Sequence, residues 1–333
     1  DGDDLFFFSQ ATETNFTNVE LHRFSLFLKL PTYLIVGREV HLIDLLLFNI
    51  IPLTYLPILT GKVCYHIFND PKLAKISAIF IIINPILIRY CVMLLRDAWL
   101  AMSIILAVYA IYVSRYYLLI AATGIIAVLR PTSILFLLIT LLAVYFINRL
   151  LPEVNHINRN TFRIMFIVIA LTLLMLLIIP ADLSRAELDI CNFFFREGEI
   201  EMRSERGETD DIFYRIYTSP FYLRLPMSFI WFFVYPLPNI TNLYEFPQII
   251  PSIYIRFIGS LVYIFFIKWF IQGLFKAFGD KDKVALTLFA SYLIAVFIIA
   301  NSSIVPRHLL QLVPFMAILS GYGLLFATQK AKH

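Results

Sequence analysis

Residues 98–113 read Ala-Trp-Leu-Ala-Met-Ser-Ile-Ile-Leu-Ala-Val-Tyr-Ala-Ile-Tyr-Val, a run without a charged side chain. Arg96 and Asp97 stand directly before this run, and Arg115 follows it. An apolar run bounded by charges is typical of a helix that crosses a membrane, where a hydrocarbon core of about 30 Å needs roughly 20 helical residues. The stretch therefore predicts a membrane-spanning helix with polar residues at its two ends.

The composition of the whole chain indicates the same class of protein. Of the 333 residues, 60% are hydrophobic and only 15% are charged, and the mean hydropathy is +0.81. Soluble domains carry about 25% charged residues. The 3 scattered cysteines argue against a disulfide framework, and no P-loop, dinucleotide fingerprint or metalloprotease motif occurs. A net charge of only +4 argues against nucleic acid as a partner.

Apolar runs recur along the chain and predict an all-α polytopic membrane protein with nine visible spans. Two further apolar stretches, 24–36 and 227–237, are interrupted by prolines and are expected to lie at the interface or to be re-entrant. Because the chain opens at Asp1 without a hydrophobic segment, we expect a further helix to precede it. The expected spans are residues 40–59, 74–90, 98–113, 116–129, 133–147, 162–179, 253–271, 284–300 and 309–326.

These spans divide the chain into three regions. Residues 1–180 form an N-terminal transmembrane module with the first outer loop, 181–250 an extracytoplasmic or interfacial insertion, and 251–333 a C-terminal transmembrane module. The mixed-charge run 203–211 in the insertion predicts a solvated loop, with a lid over an outer site as the alternative.

Basic residues of the short loops fall on one side of this topology, which the positive-inside rule assigns to the cytoplasm together with the C-terminus. We therefore expect an integral membrane protein in contact with membrane lipids, with its active face outside the cytoplasm. The residues on the basic side are Lys62, Lys72, Lys75, Arg115, Arg149, Arg159, Arg163, Lys276, Lys281, Lys283, Lys330 and Lys332.

The opposite side collects the ionisable residues that are candidates for chemistry. Charges at membrane depth are costly and mark functional sites, although membrane-edge anchors and internal ion pairs remain an alternative. Arginines suit a phosphate, and a carboxylate suits a general base toward a hydroxyl. The candidates are Asp3, Asp4, Arg89, Arg96, Asp97, Arg130, Arg307 and His308.

Several of these residues lie in stretches that resemble a known superfamily. Asp3-Asp4-Leu5-Phe6-Phe7-Phe8-Ser9-Gln10-Ala11 resembles the D-E-x-x-Y-x-x-x-A element of GT-C glycosyltransferases, which include protein O-mannosyltransferases and lipid A aminoarabinose transferases. Asp4 replaces the usual Glu and Phe7 the usual Tyr.

Further elements follow in the superfamily's order. Asn84-Pro85, with Leu95-Arg96-Asp97-Ala98-Trp99 after it, is similar to the proline and basic-Asp pair of the second outer turn. Leu129-Arg130-Pro131-Thr132 resembles an Arg-Pro turn of bacterial members, and Pro306-Arg307-His308-Leu309-Leu310-Gln311-Leu312-Val313-Pro314 is similar to the R-Y-L-x-P-x-x-P stretch.

The resemblance implies transfer of a sugar from a polyprenyl-phosphate or polyprenyl-diphosphate carrier to a saccharide, lipid or protein acceptor, with inversion, on the outer leaflet of a bacterial plasma membrane or in an ER lumen. It implies that Asp3 is the general base and that Asp4 and Asp97 position the acceptor or bind a divalent metal. The metal would be Mg or Mn, the only cofactor expected, with Asp3 and Asp97 as its ligands. The resemblance also implies phosphate binding, first by Arg307 and then by His308, Arg96, Arg89 and Arg130.

Two other classes of function remain open. An O-antigen or capsule repeat-unit polymerase would use a lipid-linked oligosaccharide as donor. A non-catalytic protein would be a translocator of lipid-linked saccharides or a structural membrane subunit. A translocator needs charges along the middle of several spans, whereas this chain keeps nearly all of its charges at span ends.

Overall fold

The apolar runs fold as helices throughout the part of the chain that the structure describes. The computed structural model describes residues 42–84, 96–129, 133–150, 215–216, 218–234, 250–302 and 310–330, with positions 27, 87, 167 and 170. Within these ranges 92% of the residues are helical and none belongs to a strand. The all-α class predicted from the sequence is therefore confirmed.

The helices follow the chain in the order in which the apolar runs occur. The expected span 116–129 coincides with a helix, and the expected span 162–179 falls outside the described residues apart from 167 and 170. The helices are α1 Leu42–Phe68, α2 Pro71–Ile82, α3 Asp97–Tyr112, α4 Tyr116–Leu129, α5 Ile134–Leu150, α6 Phe221–Val234, α7 Ile250–Gly279, α8 Lys283–Ser302 and α9 Val313–Lys330.

Two helical segments are long and apolar enough to cross a membrane by length and composition, among the residues described. They are Leu261–Gly279 in α7 and Leu310–Ala327 at α9. The second is 78% buried inside the bundle, whereas the first is only 28% buried and turns most of its apolar surface outward. Four shorter apolar helical segments accompany them: Asp97–Tyr112, Tyr116–Leu129, Leu137–Ile147 and Lys283–Ile298.

Helix α1 continues past the expected end of its span at residue 59. The sequence prediction took Gly61 and Lys62 as a break, but Gly61 is a packing residue: a Cβ there would lie 3.2 Å from the carbonyl oxygen of Ala74. Lys62 lies on the exposed face, while Val63 and Cys64 are buried. Because one face of the helix places Lys62 at the surface and the other packs inside the bundle, the helix continues to Phe68.

Helix α2 ends earlier than the expected span 74–90. Its last residue is Ile82, and Asn84 follows, fully buried, with its Oδ1 accepting a hydrogen bond from the backbone N–H of Leu87 at 3.1 Å. Pro85 disfavours helical geometry in the residue before it. The Asn-Pro pair therefore forms a helix end, which the apolar count alone does not detect.

Helix α6 begins at Phe221 and passes through Pro226. The sequence prediction placed an interfacial stretch at 227–237 and treated Pro226 as an interruption, which is wrong for the helix boundary. Pro226 is the sixth residue of α6 and lacks the N–H that would bond to the carbonyl oxygen of Tyr222, so the helix loses one main-chain hydrogen bond and still continues to Val234.

Three tight turns join neighbouring helices at one end of the bundle, which we call the turn end. Asp70 caps α2 by accepting from the N–H of Lys72 at 2.7 Å, and Asp282 caps α8 by accepting from the N–H of Val284 at 3.0 Å. Ser114 turns the chain between α3 and α4 with a φ of 53°.

Side-chain contacts bring these turns together. The His66 ring of α1 stacks on Tyr112 of α3 at 5.5 Å between centroids, and Phe68 packs against Tyr322 of α9. The Tyr322 hydroxyl donates to Asp282 Oδ2 at 2.8 Å. Basic residues of the predicted cytoplasmic side therefore share one end of the described bundle.

Helix α3 is the centre of the bundle. Most of its residues are buried, including Asp97, and it packs against α1, α4 and α5. A helix that is apolar on all sides is stable only when surrounded. Its amino-terminal residues therefore lie inside the protein, and this positions the candidate site.

Candidate active site

The Arg96-Asp97 pair begins the buried central helix at the end of the bundle opposite the turns, which we call the Asp97 end. Asp97 is the first residue of α3 and is only 2% exposed, and Arg96 before it is partly buried. Free N–H groups in the first turn of a helix favour a negative charge there. A carboxylate at this position is stabilised by the helix although it is far from bulk water.

Arg96 connects this pair to a second sequence element. Its Nη1 donates a hydrogen bond to the backbone carbonyl oxygen of Leu129 at 3.0 Å, across 33 positions of sequence. Leu129 is the last residue of α4 and directly precedes the expected Arg130-Pro131 turn. Two of the elements quoted above therefore meet at the Asp97 end.

An aromatic cluster lies beside Asp97. Trp99 is 5% exposed, and its ring stacks on Phe48 of α1 at 4.7 Å. Phe27, from the expected interfacial stretch 24–36, packs edge-on against Trp99 at 5.1 Å. The cluster fixes the start of α3 against α1 and brings a residue of the N-terminal region to the Asp97 end.

The third element reaches the same end of the bundle from α9. Leu310, Gln311 and Leu312 form a short 3-10 turn immediately before α9, and all three are buried. The fully buried Gln311 was not identified as functional from the sequence, because an uncharged side chain within an apolar run gives no signal of its own.

The remaining candidates fall outside the described residues. The structure therefore does not test their predicted convergence. These candidates are Asp3, Asp4, Arg89, Arg130, Arg307 and His308.

The metal expectation stays a prediction. Across the described ranges, no group of three or more His, Cys, Asp or Glu side chains could hold an ion. Asp97 supplies a carboxylate oxygen, which is the ligand type that Mg and Mn prefer, but its expected companion Asp3 lies outside those ranges.

Comparison of the chain with protein-family models, curated proteins and solved structures finds no match.

Proposed function

We propose that this chain is a polytopic membrane glycosyltransferase of the GT-C type, which transfers a sugar from a polyprenyl-(di)phosphate carrier to an acceptor hydroxyl outside the cytoplasm. One structural observation supports it beyond the sequence resemblance. The hydrogen bond from Arg96 to the carbonyl oxygen of Leu129 joins the Arg-Asp pair to the Arg-Pro turn, beside a buried Asp97. A carboxylate and an arginine side by side at one end of the bundle suit transfer from a phosphate.

In the proposed reaction, the acceptor oxygen attacks the anomeric carbon of the donor sugar while the bond from that carbon to the phosphate oxygen breaks. The bonding electron pair leaves with the polyprenyl (di)phosphate, and a carboxylate takes the acceptor proton. By the resemblance, that carboxylate is Asp3. Attack opposite the leaving group inverts the anomeric centre.

Arginines stabilise the charge that develops on the departing phosphate, because fixed cations in a site shielded from water act strongly on an oxyanion. Arg307 is the first candidate by resemblance, with His308, Arg89 and Arg130 behind it. Arg96 already gives one donor to Leu129. A guanidinium carries five N–H donors in a planar fork, a geometry that matches the oxygens of a phosphate.

Asp97 positions the acceptor in this proposal. Its carboxylate is almost fully buried at the first turn of α3, and Trp99 and Phe48 hold that turn in place. A divalent cation, if the enzyme uses one, would take a ligand from Asp97 and shield the phosphate charge.

The distribution of apolar surface supports a position in the membrane. Large apolar side chains are exposed on several helices, for example Tyr55 at 56%, Tyr117 at 62% and Phe275 at 72%. Such outward apolar surface fits lipid. Basic residues near the turn end, among them Lys62, Lys72 and Lys281, would then face the cytoplasm, with the Asp97 end outside.

The test is sugar transfer by the full chain purified in detergent, with a panel of polyprenyl-phosphate-linked and polyprenyl-diphosphate-linked monosaccharides as donors. We expect Asp97→Asn to lower the rate by roughly 10²-fold or more, because it removes the charge and keeps the shape. Asp280→Asn is the matched control: the same chemical change at the turn end, where the carboxylate is 45% exposed.

Normal transfer by Asp97→Asn, with unfolding temperatures equal to wild type, would contradict the site. Transfer of complete oligosaccharide repeats but not of single sugars would identify a polymerase. Movement of lipid-linked sugar between leaflets without transfer would identify a translocator. Either result would overturn the proposal.

A further inference from the structure

Gln311 is a buried amide whose polar atoms are unsatisfied. The residue is 0% exposed, and neither its Oε1 nor its Nε2 has a hydrogen-bond partner among the described residues. Its neighbours Leu310 and Leu312 are apolar and buried. An amide therefore occupies a position where a leucine or methionine would fill the space without any polar group to satisfy.

A buried amide without hydrogen-bond partners destabilises the folded protein. Leaving a buried donor or acceptor unpaired disfavours folding by about 1–3 kcal/mol per group, and nearly all buried polar atoms in native proteins are satisfied. Gln311 has two such atoms. An external hydrogen-bonding ligand accounts for an amide that the protein itself leaves unpaired.

Helix register places Gln311 at the Asp97 end. Gly321 of α9 lies against Leu73, Ile76 and Ser77 of α2, since a Cβ added there would meet these side chains at 3.0–3.4 Å. At about 1.5 Å per helical residue, Gln311 lies about 15 Å further from the turn end than Gly321. The same count along α2 brings Asn84 to a similar depth, so Gln311 belongs to the level at which the candidate site lies.

We propose that the side-chain amide of Gln311 binds hydroxyl groups of the sugar carried by the donor lipid, an inference that rests on the proposed function. A carboxamide presents one acceptor and two donors side by side and carries no charge. That set suits neutral hydroxyls of a sugar ring, each of which is both a donor and an acceptor. A phosphate, by contrast, is bound best by cationic side chains such as arginine.

The position of Gln311 in the chain fits the donor sugar. It follows the expected phosphate-binding residues Arg307 and His308 by a few residues, which an extended chain spans at no more than about 3.6 Å per residue. In the donor, the sugar is bonded directly to the phosphate. Adjacent parts of one headgroup are therefore assigned to neighbouring positions of the sequence, with Gln311 as a specificity-determining residue.

The test replaces Gln311 by methionine, which has similar length and no hydrogen-bonding amide. Gln272→Met, on the exposed surface of α7, is the matched control. The probes are a polyprenyl phosphate and the same lipid linked to a single hexose, and the readouts are the shift in unfolding temperature on adding each lipid and the KM for the hexose lipid.

We expect Gln311→Met to be at least as stable as wild type without lipid, because the unpaired amide is gone. It should respond normally to the polyprenyl phosphate, lose the additional stabilisation that the hexose gives, and raise KM on the order of tenfold, as for loss of a hydrogen-bonding group. Gln272→Met should match wild type in every measurement.

A Gln311→Met protein that keeps the hexose-dependent stabilisation and KM overturns this inference and leaves the proposed function standing. Lower stability without lipid, combined with an unchanged response to the hexose, assigns Gln311 a structural role and also overturns it. A wild-type protein stabilised by neither lipid contradicts the proposed function, and this inference with it.

Discussion

At the turn end, neighbouring side chains change the pKa of His66. Its ring stacks on Tyr112 with an interplanar angle of 6°, and Tyr65 and Tyr109 also contact it. Burial lowers the pKa of His66 from its usual 6.5, and the charge of Lys62, whose Nζ lies 5.3 Å from the Tyr109 ring centre, lowers it further. The residue lies beyond the expected span 40–59, so water and protons reach this end.

The lowered pKa predicts a pH-dependent stability. Because the unfolded state binds a proton at His66 more readily than the folded state, stability is full above about pH 6.5 and falls as the pH drops through the folded pKa. We expect His66→Gln to weaken this loss. The measurement is the unfolding temperature of both proteins in detergent at about pH 7.5 and about pH 5, where the decrease should be smaller for the variant. Equal decreases in the two proteins would show that His66 does not contribute.

Residues of the candidate site differ in how far the sequence reveals them. Asp97 was identified because a charge beside an apolar run is conspicuous, and the structure then showed that it is buried. Gln311 was overlooked because an amide is neutral, and its role depends on hydrogen bonds that only three-dimensional packing can leave unmade. The hydrogen bond from Arg96 to Leu129 spans distant positions and could not be predicted from either segment alone.

Close helix contact, in place of large side chains, holds α7 and α9 together. A Cβ on Gly323 would collide with the carbonyl oxygen of Trp269 and lie 2.7 Å from the N atom of Gly273. Ser320 Oγ strengthens the contact by donating to the carbonyl oxygen of Phe266 at 3.0 Å. Small residues commonly allow membrane helices to approach in this way.

We therefore expect Gly323→Ala to destabilise the protein by about 1–3 kcal/mol, because a methyl group has no space between the two backbones. Gly124→Ala is the matched control, since a Cβ at Gly124 in α4 meets nothing within 4 Å. Alanine is the better helix former by about 1 kcal/mol, so the control should be neutral or stabilising.

The measurement is the unfolding temperature of the two variants in the same detergent. Equal temperatures for Gly323→Ala and wild type would contradict the close contact between α7 and α9. A loss as large in Gly124→Ala would indicate that any added methyl group disturbs the bundle.

The apolar runs predicted which segments are helices, but they did not predict where those helices end. Gly61 and Lys62 look like a break in sequence, yet tertiary contact with Ala74 turns the glycine into a packing site. Asn84 ends α2 although apolar residues continue after it, because its side chain caps the next backbone segment. A boundary depends on which neighbour packs against or caps the backbone, and at Gly61 that neighbour belongs to the next helix.

At the scale of the whole molecule, the two ends of the bundle have different character. The turn end carries basic residues and capped turns, whereas the Asp97 end carries Arg96, Asp97, Asn84 and Gln311. The proposed orientation places the first in the cytoplasm and the second outside.

This orientation predicts which cysteines react with a membrane-impermeant maleimide in intact cells. In a chain with Cys91 and Cys191 replaced by serine, we expect labelling of Thr218→Cys from outside, and of Lys72→Cys only after permeabilisation. Cys64 can remain, because it is buried and the pKa of its thiol is raised to about 12, which keeps it unreactive.

The outcome is read from labelled protein before and after permeabilisation. Labelling of Lys72→Cys in intact cells, with Thr218→Cys protected, would reverse the orientation and place the Asp97 end in the cytoplasm. Donors carried on the outer leaflet would then be excluded.

By itself, the sequence determined the class of this protein: an apolar chain, helical in the part that the structure describes, with most of its few charges at the ends of its apolar runs. The reason is that charge is costly in an apolar phase and helices satisfy their own backbone. Only the tertiary structure decided where helices end, that α7 and α9 touch through glycines, that Arg96 reaches Leu129, and that Gln311 is buried with an unpaired amide. Hydropathy is a property of each segment, whereas packing and hydrogen bonding are relations between segments that lie far apart in the chain.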